Sequence, residues 1–115
     1  MPHLTPQGPP PKLDTVNFAY WQYLMESHLK SCSMELWRII LQGYAPIFPD
    51  NLTWCEEVDC QLNANALHII QQAMTPKEMA HIRTCKSAKD AWKKLTDLFT
   101  GNESIQESKY EEVIN

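Results

Sequence analysis

The residues best placed for chemistry are two His-x-x-x-Cys pairs. His28 and Cys32, and again His81 and Cys85, stand four positions apart, so each pair shares one face of a helix. Cys55 and Cys60 add two further thiols. Ligands of this kind would hold zinc tetrahedrally if their segments converged. The spacings match no closed structural site, and Cys-x-x-Cys occurs nowhere in the chain. Nor is there a nucleophile elbow or an oxyanion-donor loop to support Cys–His catalysis. The cysteines read better as small buried hydrophobes and the histidines as half-exposed side chains. No enzyme, metal or cofactor site is expected.

Charge supplies two other candidates. Arg83, Lys86, Lys89, Lys93 and Lys94 form a basic run broken only by Asp90 among the charged residues. Such a run could contact RNA phosphates or another polyanion, or be the solvated side of an amphipathic helix. Glu56, Glu57 and Asp59 resemble an acid/base or metal cluster, but they fall in the first turns of a helix, where capping and the helix dipole account for them. The chain as a whole has 115 residues and a net charge of −4, which describes one domain and excludes an overall polycation. No apolar run approaches the roughly 18 residues that cross a bilayer, so no membrane partner is expected. No signal peptide is visible, and the expectation is a cytoplasmic protein with free thiols.

These residues must be positioned by helices, because apolar residues recur at steps of three and four throughout. Residues 1–12 read as a flexible proline-rich leader, with Pro9-Pro10-Pro11-Lys12 as a spacer or an SH3-type ligand. Leu13 and Val16 are placed to staple the first helix, and Asn17 to cap it. That helix presents Phe18, Trp21, Leu24, Met25, His28 and Leu29. A second, capped by Ser33 and ended by Gly43, presents Met34, Leu36, Trp37, Ile40 and Leu41. Pro46 and Pro49 forbid a helix from Tyr44 to Leu52, and Ile47 and Phe48 should lay that loop on the core. Thr53 and Glu56 form a capping box that opens the longest helix. Its apolar side carries Trp54, Val58, Leu62, Ala66, Ile69, Ile70 and Ala73 to about Met74, with Asn63 among the residues falling mainly elsewhere. Thr75-Pro76-Lys77-Glu78 opens a short helix, and Ser87 starts another with Ala88, Ala91, Trp92, Leu95, Leu98 and Phe99 buried before Gly101. A weakly amphipathic segment, 104–114, could add a last helix. The fold expected is all-α, a compact bundle of five or six helices, with 13–101 as the domain and 102–115 as an acidic tail. The core should include Phe18, Trp21, Leu24, Leu29, Trp37, Ile40, Leu62, Leu67, Ile70, Trp92, Leu95 and Phe99. The four tryptophans fall one to a helix and should meet there, with Trp54 the one that could instead be an exposed anchor.

The ordered set of motifs resembles the start of the Gag polyprotein of Copia-type LTR retrotransposons. The matching residues are Asn17, Phe18, Trp21, Met25, Leu29, Lys30, Ser31, Leu36 and Trp37 in the first hairpin. Ala66, Leu67, Ile70 and Pro76 follow, then Ile82, Cys85, Ser87, Ala88, Lys89, Ala91, Trp92, Leu95, Phe99 and Gly101. The tail residues Ser108 to Glu111 look like the plant members of the family. This resemblance implies a retroviral-capsid-like helical domain without enzymatic activity, whose partner is itself in a homo-oligomer building virus-like particles. The zinc knuckle that carries most of the family's RNA binding is not in this sequence. Two alternatives stay open: a host-adopted module binding another protein or peptide, and an RNA-binding module using residues 83–94. The first helix pair and the basic helix are candidate contact surfaces, and Trp54, Phe48 and Tyr44 are the candidate interface anchors.

Overall fold

A computed structural model describes residues 8–100. They form five helices and no strand: α1 (Phe18–Cys32), α2 (Met34–Gln42), α3 (Trp54–Gln72), α4 (Pro76–Ile82) and α5 (88–100). The all-α reading is therefore correct. The sixth helix expected at 104–114 and the stop at Gly101 lie outside the described residues.

Local chemistry explains most boundaries. Ser33 is the whole connection between α1 and α2: its backbone is extended, its N–H donates to the Leu29 carbonyl, and its Oγ accepts from the Glu35 N–H. One residue thus closes one helix and caps the next. Thr53 and Thr75 each form a full capping box, with Glu56 and Glu78. Ser87 Oγ accepts from the Asp90 N–H at 3.0 Å and starts α5. Gly43 ends α2 at φ +85°, ψ 173°, which a side chain would strain, and the Lys89 side chain covers its Cα. The start of α1 differs from expectation. Asn17 makes no side-chain cap; Asp14 Oδ1 instead accepts from the Val16 and Asn17 N–H groups, both at 3.0 Å. Val16 points to solvent, and only Leu13 packs on the core.

The core is built on a relay of rings. Phe99 meets Phe18 at 5.4 Å, Phe18 stacks on Trp21 at 5.4 Å, and Trp21 stacks on Trp92 at 5.7 Å. Trp92 then takes Trp37 edge-on at 5.3 Å. This relay fastens α1, α2 and α5 together, and each ring pair adds about 0.5–1.5 kcal/mol beyond the area it buries. Met25, Leu29, Ile39, Ile40, Ile70, Ile82 and Leu95 are buried around it. Trp37, Leu62, Leu67, Trp92 and Phe99 are half-buried and pack against that centre. Three expectations need correction. Leu24 is half-exposed and outside the core, in a shallow groove with Pro9 and Pro11. The buried stripe of α2 is rotated, so that Ile39 replaces Met34 and Leu41, which are exposed. Asn63 is buried, not on the solvent side. Its Nδ2 donates to the Lys86 carbonyl at 3.2 Å and its Oδ1 accepts from the Ala88 N–H at 2.8 Å, tying α3 to the entry of α5.

The described part of the leader also departs from its reading as a flexible spacer. Residues 8–13 lie against the bundle as a strap. The buried Trp21 Nε1–H donates to the Pro11 carbonyl at 3.0 Å, the Leu13 N–H to the Ala73 carbonyl at 3.0 Å, and Lys12 Nζ to the Gln72 carbonyl at 3.2 Å. An indole N–H buried in a core needs an acceptor, and the strap provides it. Residues 1–7 lie outside the described part.

Candidate interaction surface

The connector between α2 and α3, with the first residue of α3, exposes Ile47, Phe48 and Trp54 near one another in sequence. The two prolines keep 44–52 out of a helix, and a tight turn forms where the Asn51 N–H donates to the Phe48 carbonyl at 2.9 Å. Glu56 fixes this turn to α3: one carboxylate oxygen caps the Thr53 N–H at 2.9 Å and the other accepts from the Ile47 N–H at 3.4 Å. These backbone hydrogen bonds, Thr53's first, hold the Glu56 carboxyl below the usual carboxylate range. Ile47 is left 79% exposed, Phe48 68% and Trp54 75%. Ile47 and Phe48 therefore do not lie on the core, and Trp54 does not join the other three tryptophans. Val58, one turn beyond Trp54, is also exposed. Tyr44 behaves differently from the other two anchors: it is half-buried and packs against the core, and that burial, then the neighbouring Cys60 thiol, raises its hydroxyl pKa.

Across the α2–α3 hairpin, Arg38 Nη2 pairs with Asp59 at 2.8 Å and Arg38 Nε pairs with Glu35. These partners, Asp59 first, raise the Arg38 pKa further. Below the connector is an open cleft of about 560 Å³, where Tyr44, Glu56 and Asp59 face Ser87, Lys89 and Asp90 from α5 and its approach.

The basic run is exposed at all five positions but is not one uniform patch. Arg83 and Lys86 lie between α4 and α5, and the other three are on α5. Lys89 crosses Gly43 and enters the acidic cleft, while Lys93 pairs with Asp97 at 3.1 Å. Arg83, Lys86 and Lys94 carry their charge outward.

The His and Cys residues do not converge. His28 Nε2 lies 3.8 Å from Cys32 Sγ, one turn along α1, and burial lowers the His28 pKa from its ordinary 6.5. His81 is exposed, and Cys85 is half-buried with its thiol pKa raised by burial and by the nearby Asp90 charge. Cys55 and Cys60 are exposed on α3, not buried. Among the described residues no three His, Cys, Asp or Glu side chains are grouped to hold a metal ion, and no helix is long and apolar enough to cross a membrane.

Comparison with protein-family models, with curated proteins and with solved structures gives no match.

Proposed function

We propose that this chain is a non-enzymatic, self-associating helical domain of the Copia Gag type, whose copies bind one another through the α2–α3 connector. The observation that carries this reading is the outward projection of Ile47, Phe48 and Trp54, which after Val16 are the most exposed large apolar side chains among the described residues. The connector is pinned to α3 through Glu56, so these side chains are held out rather than left without a place to pack. Pre-set aromatic side chains are the usual anchors of protein interfaces, because little rotamer freedom is lost when they bind. The ordered resemblance from Leu13 to Gly101 supports the same conclusion.

Sedimentation velocity over a concentration series tests it. Wild-type chain is expected to form reversible dimers or larger species. Phe48→Asp combined with Trp54→Asp should weaken that association by about 2 kcal/mol or more, about 30-fold in Kd, with unchanged far-UV circular dichroism. A wild-type chain that remains monomeric at every concentration would overturn the proposal.

A further inference from the structure

Charge is sorted along this chain in a way that self-association alone does not require. Between Arg38 and Lys77 there is no lysine or arginine, while Asp50, Glu56, Glu57 and Asp59 cluster around the start of α3. From Met79 to Thr96 the order reverses: Arg83, Lys86, Lys89, Lys93 and Lys94 stand against Asp90 alone. The acidic front therefore coincides with the exposed connector, and the basic strip with the α4–α5 end. Within one copy the two scarcely neutralise each other. Asp59 is taken by Arg38 and Lys93 by Asp97, and among the described residues no ion pair joins the front to the strip. Only Lys89 approaches the acids, across the cleft.

Resting on the self-association proposed above, we infer that the partner of the connector face is the basic strip of a second copy: Asp50 and Glu57 of one chain meet Arg83, Lys86 and Lys94 of the next. Phe48 and Trp54 border the acidic front and offer ring faces to those cations and their aliphatic stems. Complementary charge of this kind sets register and encounter rate, while the aromatic anchors hold the contact. Each copy carries both surfaces. One contact thus leaves a free surface at each end, and growth continues unless a two-fold axis satisfies both at once. The same strip is poorly arranged for single-stranded RNA. Stacking platforms for bases would have to interleave with the cations, whereas no exposed aromatic residue falls between Arg83 and Lys94: Phe48 and Trp54 border the acids, and Tyr20 and Tyr23 stand on α1.

A charge-reversal exchange on the full chain tests the pairing. Three proteins are compared by sedimentation velocity at low salt: wild type, Asp50→Lys/Glu57→Lys, and Lys86→Glu/Lys94→Glu, with circular dichroism confirming that each is folded. All four positions are exposed and none belongs to a capping box. Each reversed protein alone should lose association at least tenfold, and an equimolar mixture of the two should recover it. Two results overturn the inference and leave self-association standing: reversed proteins that associate like wild type, or a mixture that fails to recover. Poly(U) RNA provides the competing outcome. Tight RNA binding that is lost in Lys86→Glu/Lys94→Glu, with wild-type self-association intact, would assign the strip to nucleic acid and also overturn it. A monomeric wild type would instead remove the self-association reading itself.

Discussion

Asn63 shows how much a single polar side chain can organise. It satisfies a carbonyl and an N–H where the chain turns into α5, and it is 7% exposed. Replacing it with alanine leaves the Ala88 N–H without its acceptor, so Asn63→Ala should lose about 1–3 kcal/mol in urea unfolding. Nothing in the sequence marks this residue, because an asparagine in mid-helix looks the same whether it faces water or a neighbouring turn. His28 gives a pH signature. Its folded-state pKa is lowered by burial from 6.5, so the unfolded chain takes up the proton more readily. The resulting penalty is absent well above pH 6.5 and grows as pH falls through the window beneath it. Stability of wild type should therefore decline with acid across that window more steeply than that of His28→Gln, measured by urea unfolding at successive pH values. The aromatic residues were legible as types, and Trp54 could be named as the one tryptophan open to exposure, but its spacing also matches the buried stripe of α3, so the choice between the two rested on tertiary packing.

At the scale of elements, sequence was most informative where the physics is local. The capping boxes at Thr53 and Thr75, the proline that begins α4 and the start at Ser87 are all decided within four residues. The phase of α2 was not, because Met34, Leu36, Trp37, Ile39, Ile40 and Leu41 offer more apolar positions than one face can bury. The tertiary partners choose, and they choose Ile39. Gly43 joins the two levels. Its positive φ is a local demand, while the Lys89 chain above it belongs to α5; a Cβ there would lie 2.8 Å from Lys89 Cδ. Gly43→Ala should cost about 1–3 kcal/mol in thermal or urea unfolding. Adding Lys89→Ala should return only the steric share, leaving the backbone share in place.

The whole molecule is closed by a part that composition alone would discard. Three prolines and a lysine before the first helix look like a linker, since a strap held by backbone carbonyls leaves no periodic pattern to read. Deleting residues 1–12 should take the Pro11 acceptor from the Trp21 indole N–H and the Lys12 donor from the Gln72 carbonyl at the end of α3. The expected loss is about 1–3 kcal/mol, with a red-shifted tryptophan emission, measured by fluorescence-detected urea unfolding. The candidate interface had the opposite fate: Phe48 and Trp54 could be named from sequence, but their exposure depends on how the bundle closes behind them. The strap has a consequence in time as well. Lys12 and its acceptor on Gln72 are 60 residues apart, so on a ribosome the strap can reach Trp21 early but lacks its partners at the end of α3 until most of the domain has been synthesised. It is the earliest part of the domain to emerge and among the last to settle. Throughout that interval a nascent chain presents its prolines to whatever surrounds it, including the finished copies of itself.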